Sequence, residues 1–152
     1  SLHDALPIHA GGDIGLGDPP PGRPGWTIGI APRESNGPPS FYLSLSRRYV
    51  ANSGDMWQYV VLDGKRYSHI VDPKTGLGLT DRSNVTVIGP DATVTDAIST
   101  AVSVLGPDKG LQLVEATPDL AAYLVRAPEG RLEVRQSSRW KNLPVVPPDV
   151  KQ

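Results

Sequence analysis

An α+β fold, an antiparallel sheet with two helices late in the chain, is what this sequence predicts. Asp63 and Gly64 stand between two strand-like runs, and Glu129 and Gly130 between two more, which is hairpin turn chemistry. The clear helical periodicity is confined to the stretch after residue 92. Helices that do not alternate with strands argue against a doubly wound parallel sheet.

The elements follow in order. Residues 6–9 are a short apolar strand entering a turn at Gly11 and Gly12. The run GLGDPPPGRPG (15–25) can be neither helix nor central strand, because proline lacks an amide donor, so it is a rigid loop. Trp26, Ile28 and Ile30 alternate with Thr27 and Gly29, a strand that ends before Pro32. Residues 33–40 read as a loop and 41–46 as a strand, with 48–53 pairing beside it. Residues 57–62 and 65–71 make the hairpin across Asp63 and Gly64, and 73–78 a tight connection. Residues 84–89 read as a buried strand.

In the first helix Val94, Ala97, Ile98, Ala101, Val102 and Leu105 form the expected apolar face, with Asp96, Thr100 and Ser103 opposite. Thr93 is the expected N-cap; Gly106 and Pro107 end this helix and open a second over 108–116. Residues 120–126 and 131–135 form the last hairpin. The domain is expected to span 1–140, followed by an irregular Pro-rich tail, 141–152, with Pro144, Pro147 and Pro148.

Composition narrows the function. A formal net charge of −1 with no Lys/Arg run excludes nucleic acid as the main partner. The absence of cysteine removes disulfides, thiolate metal sites and cysteine nucleophiles. No apolar stretch is long enough to cross a bilayer.

Several polar sets can carry chemistry. Asp96 and Thr100 lie four residues apart on one helix face, about 6 Å along the axis. A carboxylate and a hydroxyl so placed can share a hard divalent cation; an acidic residue just after a helix start can equally serve the cap and the dipole. Gly11, Gly12 and Asp13 can bring backbone N–H groups to a phosphate or flavin edge, or simply make a turn. They do not match the dinucleotide fingerprint GxGxxG. Ser53, Gly54 and Asp55 can orient a ligand or connect strands. Tyr67, Ser68, His69 and Asp72 form the densest reactive set, in which His69 can act as an acid or base or donate to phosphate. Trp26, Trp57 and Tyr59 can stack on a ring or serve packing. The sequon at Asn84 lies in a strand read as buried, which argues against glycosylation.

Taken in order, HAGGDI (9–14), GWTIGIAP (25–32), NSGD (52–55), DGKRYSHIVDPKTG (63–76), NVTVIGP (84–90) and DAISTAVSVLGPDKG (96–110) resemble the ApbE family of FAD:protein FMN transferases. The resemblance implies a partial ApbE-like, T-fold-like domain. It implies Mg²⁺-dependent transfer of FMN from FAD to a threonine hydroxyl of an acceptor protein, with release of AMP. Alternatives are FAD pyrophosphatase activity giving FMN and AMP, or a non-catalytic flavin-binding module or inactive fragment. Carried over, Asp96 and Thr100 become metal ligands. Gly11, Gly12, Asp13, Ser53 and His69 contact flavin or its phosphates, and His69 and Asp55 are the catalytic candidates. Family members are longer, and their first half adds flavin and adenine contacts, a Lys-Gly segment and a backbone metal ligand. The FAD pocket of these residues alone is therefore expected to be incomplete. The family also implies a bacterial envelope location, on the periplasmic side of the inner membrane, with any lipid anchor N-terminal to these residues.

Overall fold

The computed structural model describes residues 7–30, 37–55 and 58–147. The expectations placed on Leu6, on residues 33–36 of one loop, on Trp57 and on the last five residues lie outside these.

Three layers make up the fold. The central layer is a six-stranded antiparallel sheet of β1 (Ile8–Ala10), β2 (Asp13–Leu16), β5 (Arg48–Gly54), β8 (Ser83–Gly89), β9 (Ala121–Arg126) and β10 (Glu133–Gln136), in that spatial order. One face is covered by a three-stranded sheet of β3 (Trp26–Ile30), β4 (Phe41–Leu45) and β11 (Val145–Val146), and the other by helix α1 (Ala92–Ala116). A separate hairpin, β6 (Tyr59–Leu62) with β7 (Lys65–Ser68), projects between β5 and β8 in sequence.

Strand alternation feeds two cores from one sheet. Val50 and Ile88 pack with Ile30, Leu43 and Leu45 against the outer sheet, while Val85 and Val87 join Val102, Val114 and Leu124 under the helix. Each such fully buried aliphatic side chain contributes about 1.5–3 kcal/mol relative to exposure. Phe41, Tyr123 and Trp140 close the first core, with Tyr123 and Trp140 stacked at 5.3 Å and Phe41 edge-on to both.

Several expectations are corrected. Residues 48–54 do not pair with residues 41–45. Arg47, at φ 50, turns the chain out of β4, and β5 enters the central sheet between β2 and β8. The N-cap is Asp91, not Thr93: its carboxylate accepts from Val94 N at 2.9 Å. The buried helix face is Thr95, Ser99 and Val102, whereas Val94 and Leu105 are exposed. Short hydroxyl residues are buried because each donates back to its own helix, Thr95 Oγ1 to Asp91 O and Ser99 Oγ to Asp96 O. They let the helix sit close on the sheet, where an added Cβ at Gly89 would stand 2.5 Å from Thr95 Oγ1.

The two expected helices are both present within the α1 span: Gly106, at φ 75 and ψ −179, is not helical and divides them just before Pro107. The segment after residue 140, by contrast, is not irregular up to Pro147. Val145 and Val146 pair with Leu43 and Tyr42, and Pro144 O accepts from Ser44 N at 2.9 Å. Arg139 ties this segment to the helix end by donating to the carbonyls of Val114, Thr117 and Leu120.

Candidate functional site

The β1–β2 turn, the end of β5, the segment after β7 and the first turns of α1 meet at one end of the central sheet. They enclose a cleft of about 530 Å³. Gly11, Gly12, Asp13, Ser53, His69, Asp96 and Thr100 all line it. Segments more than eighty residues apart in sequence thus converge through the sheet register.

Each wall has a local cause. Gly11 and Gly12 adopt φ 62 and 111, the region that costs any other residue energy, with no heavy atom near their missing side chains. Both glycines line the cleft, with open space beside the turn. Asp13 is fixed from the neighbouring strand, its Oδ1 accepting from Asn52 N at 3.1 Å. The Asn52 amide donates to Gly12 O at 2.9 Å, and its Oδ1 accepts from Thr86 Oγ1 at 2.7 Å. This network holds the glycine turn in register with β5 and β8.

On the helix side Asp96 and Thr100 project into the same cleft. With the cap moved to Asp91, no acidic residue occupies the first turn, so Asp96 is not part of a capping box. Among the described residues its carboxylate has no hydrogen-bond or ion-pair partner. The Thr100 hydroxyl lies 3.4 Å from Ser53 Oγ, and Ser103 Oγ reaches Ser53 O at 3.5 Å, which seats the helix on β5. His69 faces in from the end of the hairpin, its Nδ1 3.2 Å from Gln58 O. A carbonyl only accepts, so this contact is a hydrogen bond when Nδ1 carries a ring proton.

Asp55 is not brought into the cleft. It is 1% exposed, its Oδ1 accepts from Ser83 N at 3.0 Å, and its Oδ2 lies 3.1 Å from Arg66 Nε. Arg66 also donates to Asp55 O and rests 3.7 Å from the centre of the Tyr59 ring. This buried pair fastens the β6–β7 hairpin, and with it His69, to the end of β5. Tyr59 is thereby assigned to the hairpin and Trp26 to the outer-sheet core, its Nε1 donating to Asp18 O at 2.9 Å.

His9, Asn52, Gln58 and Asn84, to which the sequence reading gave no part in a site, also line the cleft. His9 and Asn52 stood inside the HAGGDI and NSGD segments, Asn84 stood out only as a sequon, and Gln58 carried no local signal. No group of three or more His, Cys, Asp or Glu residues is arranged around a common point among the described residues. Any cation here would take Asp96 and Thr100 and complete its shell with backbone oxygen, water or a ligand's phosphates.

The family model described as the ApbE family matches residues 3–124. The FAD:protein FMN transferase of Haemophilus influenzae is 33% identical over 140 residues, 90% of this chain and 40% of that protein. That of Escherichia coli K12 is 31% identical over 119 residues, covering 77% and 34%. Among solved structures, the ApbE protein of Thermotoga maritima superposes with a TM-score of 0.74 at 34% identity, over 91% of this chain and 44% of that one. The apo form of the Pseudomonas stutzeri flavinyl transferase ApbE gives 0.71 at 35% identity, over 90% and 42%. The chain therefore spans 40% or less of these two curated relatives.

Proposed function

The chain belongs to the ApbE family, and from that premise we propose that it is the phosphate-handling part of a flavin transferase that moves FMN from FAD to a threonine hydroxyl of an acceptor protein and releases AMP. One observation carries the reading: the glycine turn, His69 and the Asp96 and Thr100 pair line a single cleft.

In the reaction the acceptor oxygen forms a bond to the flavin-side phosphorus of FAD. The bond from that phosphorus to the bridging oxygen breaks, and the bridging oxygen leaves with AMP. The peptide N–H groups of Gly11 and Gly12 are placed to donate to phosphate oxygens, and Asn52 keeps that turn in position. In the tautomer whose Nδ1 donates to Gln58 O, His69 offers Nε2 to take the hydroxyl proton. Asp55 and Arg66 act by holding His69 in place, so Asp55 is a positioning residue.

Asp96 and Thr100 fit Mg²⁺, because both offer oxygen, the carboxylate is unpaired, and no nitrogen or sulfur donor is needed. When bound, the ion supplies neutralisation of phosphate charge. Ser53 then serves to orient the Thr100 hydroxyl. An envelope location for the parent protein accords with the family. Among the described residues no helix is long and apolar enough to cross a membrane.

The test incubates the chain, alone and within a family-length polypeptide, with FAD, Mg²⁺ and a threonine-containing acceptor. AMP and acceptor-bound flavin should appear in equal amounts, and Asp96→Asn should slow both by roughly 100-fold, about 2.7 kcal/mol in barrier. AMP with free FMN and no labelled acceptor would make the protein a hydrolase instead. Absence of both products from the family-length polypeptide would overturn the reading.

A further inference from the structure

The charge balance of the cleft points to a residue that neither its motif nor the reaction above employs. The cleft carries the carboxylates of Asp13 and Asp96, and among the described residues no Lys or Arg lines it. A diphosphate entering it adds negative charge to a site that already holds two acidic groups. Only His9 and His69 among the lining side chains can bear positive charge. His69, which meets Gln58 O through Nδ1, is already assigned above to the acceptor hydroxyl. His9 has no hydrogen-bond or ion-pair partner for its ring among the described residues, although Asn52, Ser53 and Asp13 surround the same space.

Its placement follows from the register. His9 pairs with Ile14 across the β1–β2 hairpin, and Ala10 pairs with Asp13. His9 thus stands one residue pair back from the glycine turn, on the edge strand of the sheet. A phosphate held by the N–H groups of Gly11 and Gly12 would lie beside this ring.

We propose that His9 is a phosphate-binding residue of the cleft, pairing as an imidazolium with a diphosphate oxygen next to the Gly11 and Gly12 turn. The proposal rests on the flavin-dinucleotide reading above and adds to it the residue that offsets substrate charge. Among the described lining residues the glycine turn then supplies neutral donors and His9 a cationic one, in addition to the charge that a metal at Asp96 and Thr100 would neutralise.

The experiment titrates the chain with inorganic pyrophosphate in the presence of Mg²⁺ by calorimetry, using wild type, His9→Gln and His9→Lys. His9 is exposed on an edge strand, so both variants should keep the wild-type circular dichroism spectrum. Wild type should bind. His9→Gln, which keeps a donor but loses the charge, should bind about tenfold more weakly, and His9→Lys should stay within about threefold of wild type. Equal affinity of wild type and His9→Gln, or His9→Lys as weak as His9→Gln, would overturn the assignment while leaving the flavin reading in place. A family-length polypeptide that binds neither pyrophosphate nor FAD would overturn both.

Discussion

Replacing Asp55 separates a group that acts on substrate from one that holds the site together. In Asp55→Ala the Ser83 N–H loses its acceptor, and the Arg66 guanidinium loses its counter-charge. An orphaned buried donor costs about 1–3 kcal/mol. Breaking a buried ion pair costs about 3–5 kcal/mol when the remaining charge stays buried. Arg66 retains 22% of its side-chain exposure and its contact with the Tyr59 ring, so it can turn toward water and the ionic part falls below that range. A total near 3 kcal/mol is expected for Asp55→Ala. Asp55→Asn, which keeps an oxygen for Ser83 N, should lose about 2 kcal/mol. Urea unfolding followed by circular dichroism measures these losses. Pyrophosphate binding, compared where all variants are folded, should change less than threefold. If Asp55→Asn instead keeps full stability and the folded variant loses transfer by 100-fold, the carboxylate works at the reacting atoms and the positioning argument fails.

Two further outcomes follow from the packing. Gly89→Ala would put a methyl 2.3 Å from Leu120 Cδ2 and 2.5 Å from Thr95 Oγ1, so it should cost about 1–3 kcal/mol in unfolding experiments and weaken Mg²⁺ binding by lifting the first turns of α1. A variant as stable as wild type would show that the helix is not seated as closely as described. Glu115 accepts from Ser138 N and Ser138 Oγ, which hold its carboxyl below the usual carboxylate range. That contribution is complete above the unfolded value of about 4.3 and is lost as pH falls through the lower folded value. Glu115→Gln should therefore flatten the acid limb of stability against pH, with a loss at neutral pH of no more than about 1 kcal/mol for so exposed a group. An unchanged acid limb would count against the Ser138 contacts.

Much of this architecture was legible because local chemistry and tertiary position agree. Trp26–Ile30 alternates as a strand should, and Asp63 and Gly64 take the left-handed backbone that a tight hairpin needs. Asp96 and Thr100 share a helix face at the expected spacing, and both line the cleft. The misreadings occur where tertiary contacts override local cues. Asp91 and Thr93 are both good caps, and only the path of the chain out of β8 selects the earlier one. Thr95 and Ser99 fell outside the apolar face drawn for the helix, because burial by back-donation to helix carbonyls leaves no mark in hydropathy. The prolines after residue 143 suggested irregularity and hid a two-residue strand held by Leu43 and Tyr42. Asp55 read as site chemistry because its partner, Arg66, lies eleven positions on and meets it only through the hairpin.

Among the described residues the three-stranded outer sheet contributes a single residue, Gly29, to the cleft lining; the others come from the central sheet, the helix or the segments flanking the hairpin. Layers in this chain therefore divide labour. Drift in the proline-rich loop leading into Trp26, or fraying around Val145 and Val146, draws down free energy while leaving the cleft lining largely intact. How many molecules survive in a cell, and what each survivor does, are governed by largely separate stretches of the same polypeptide.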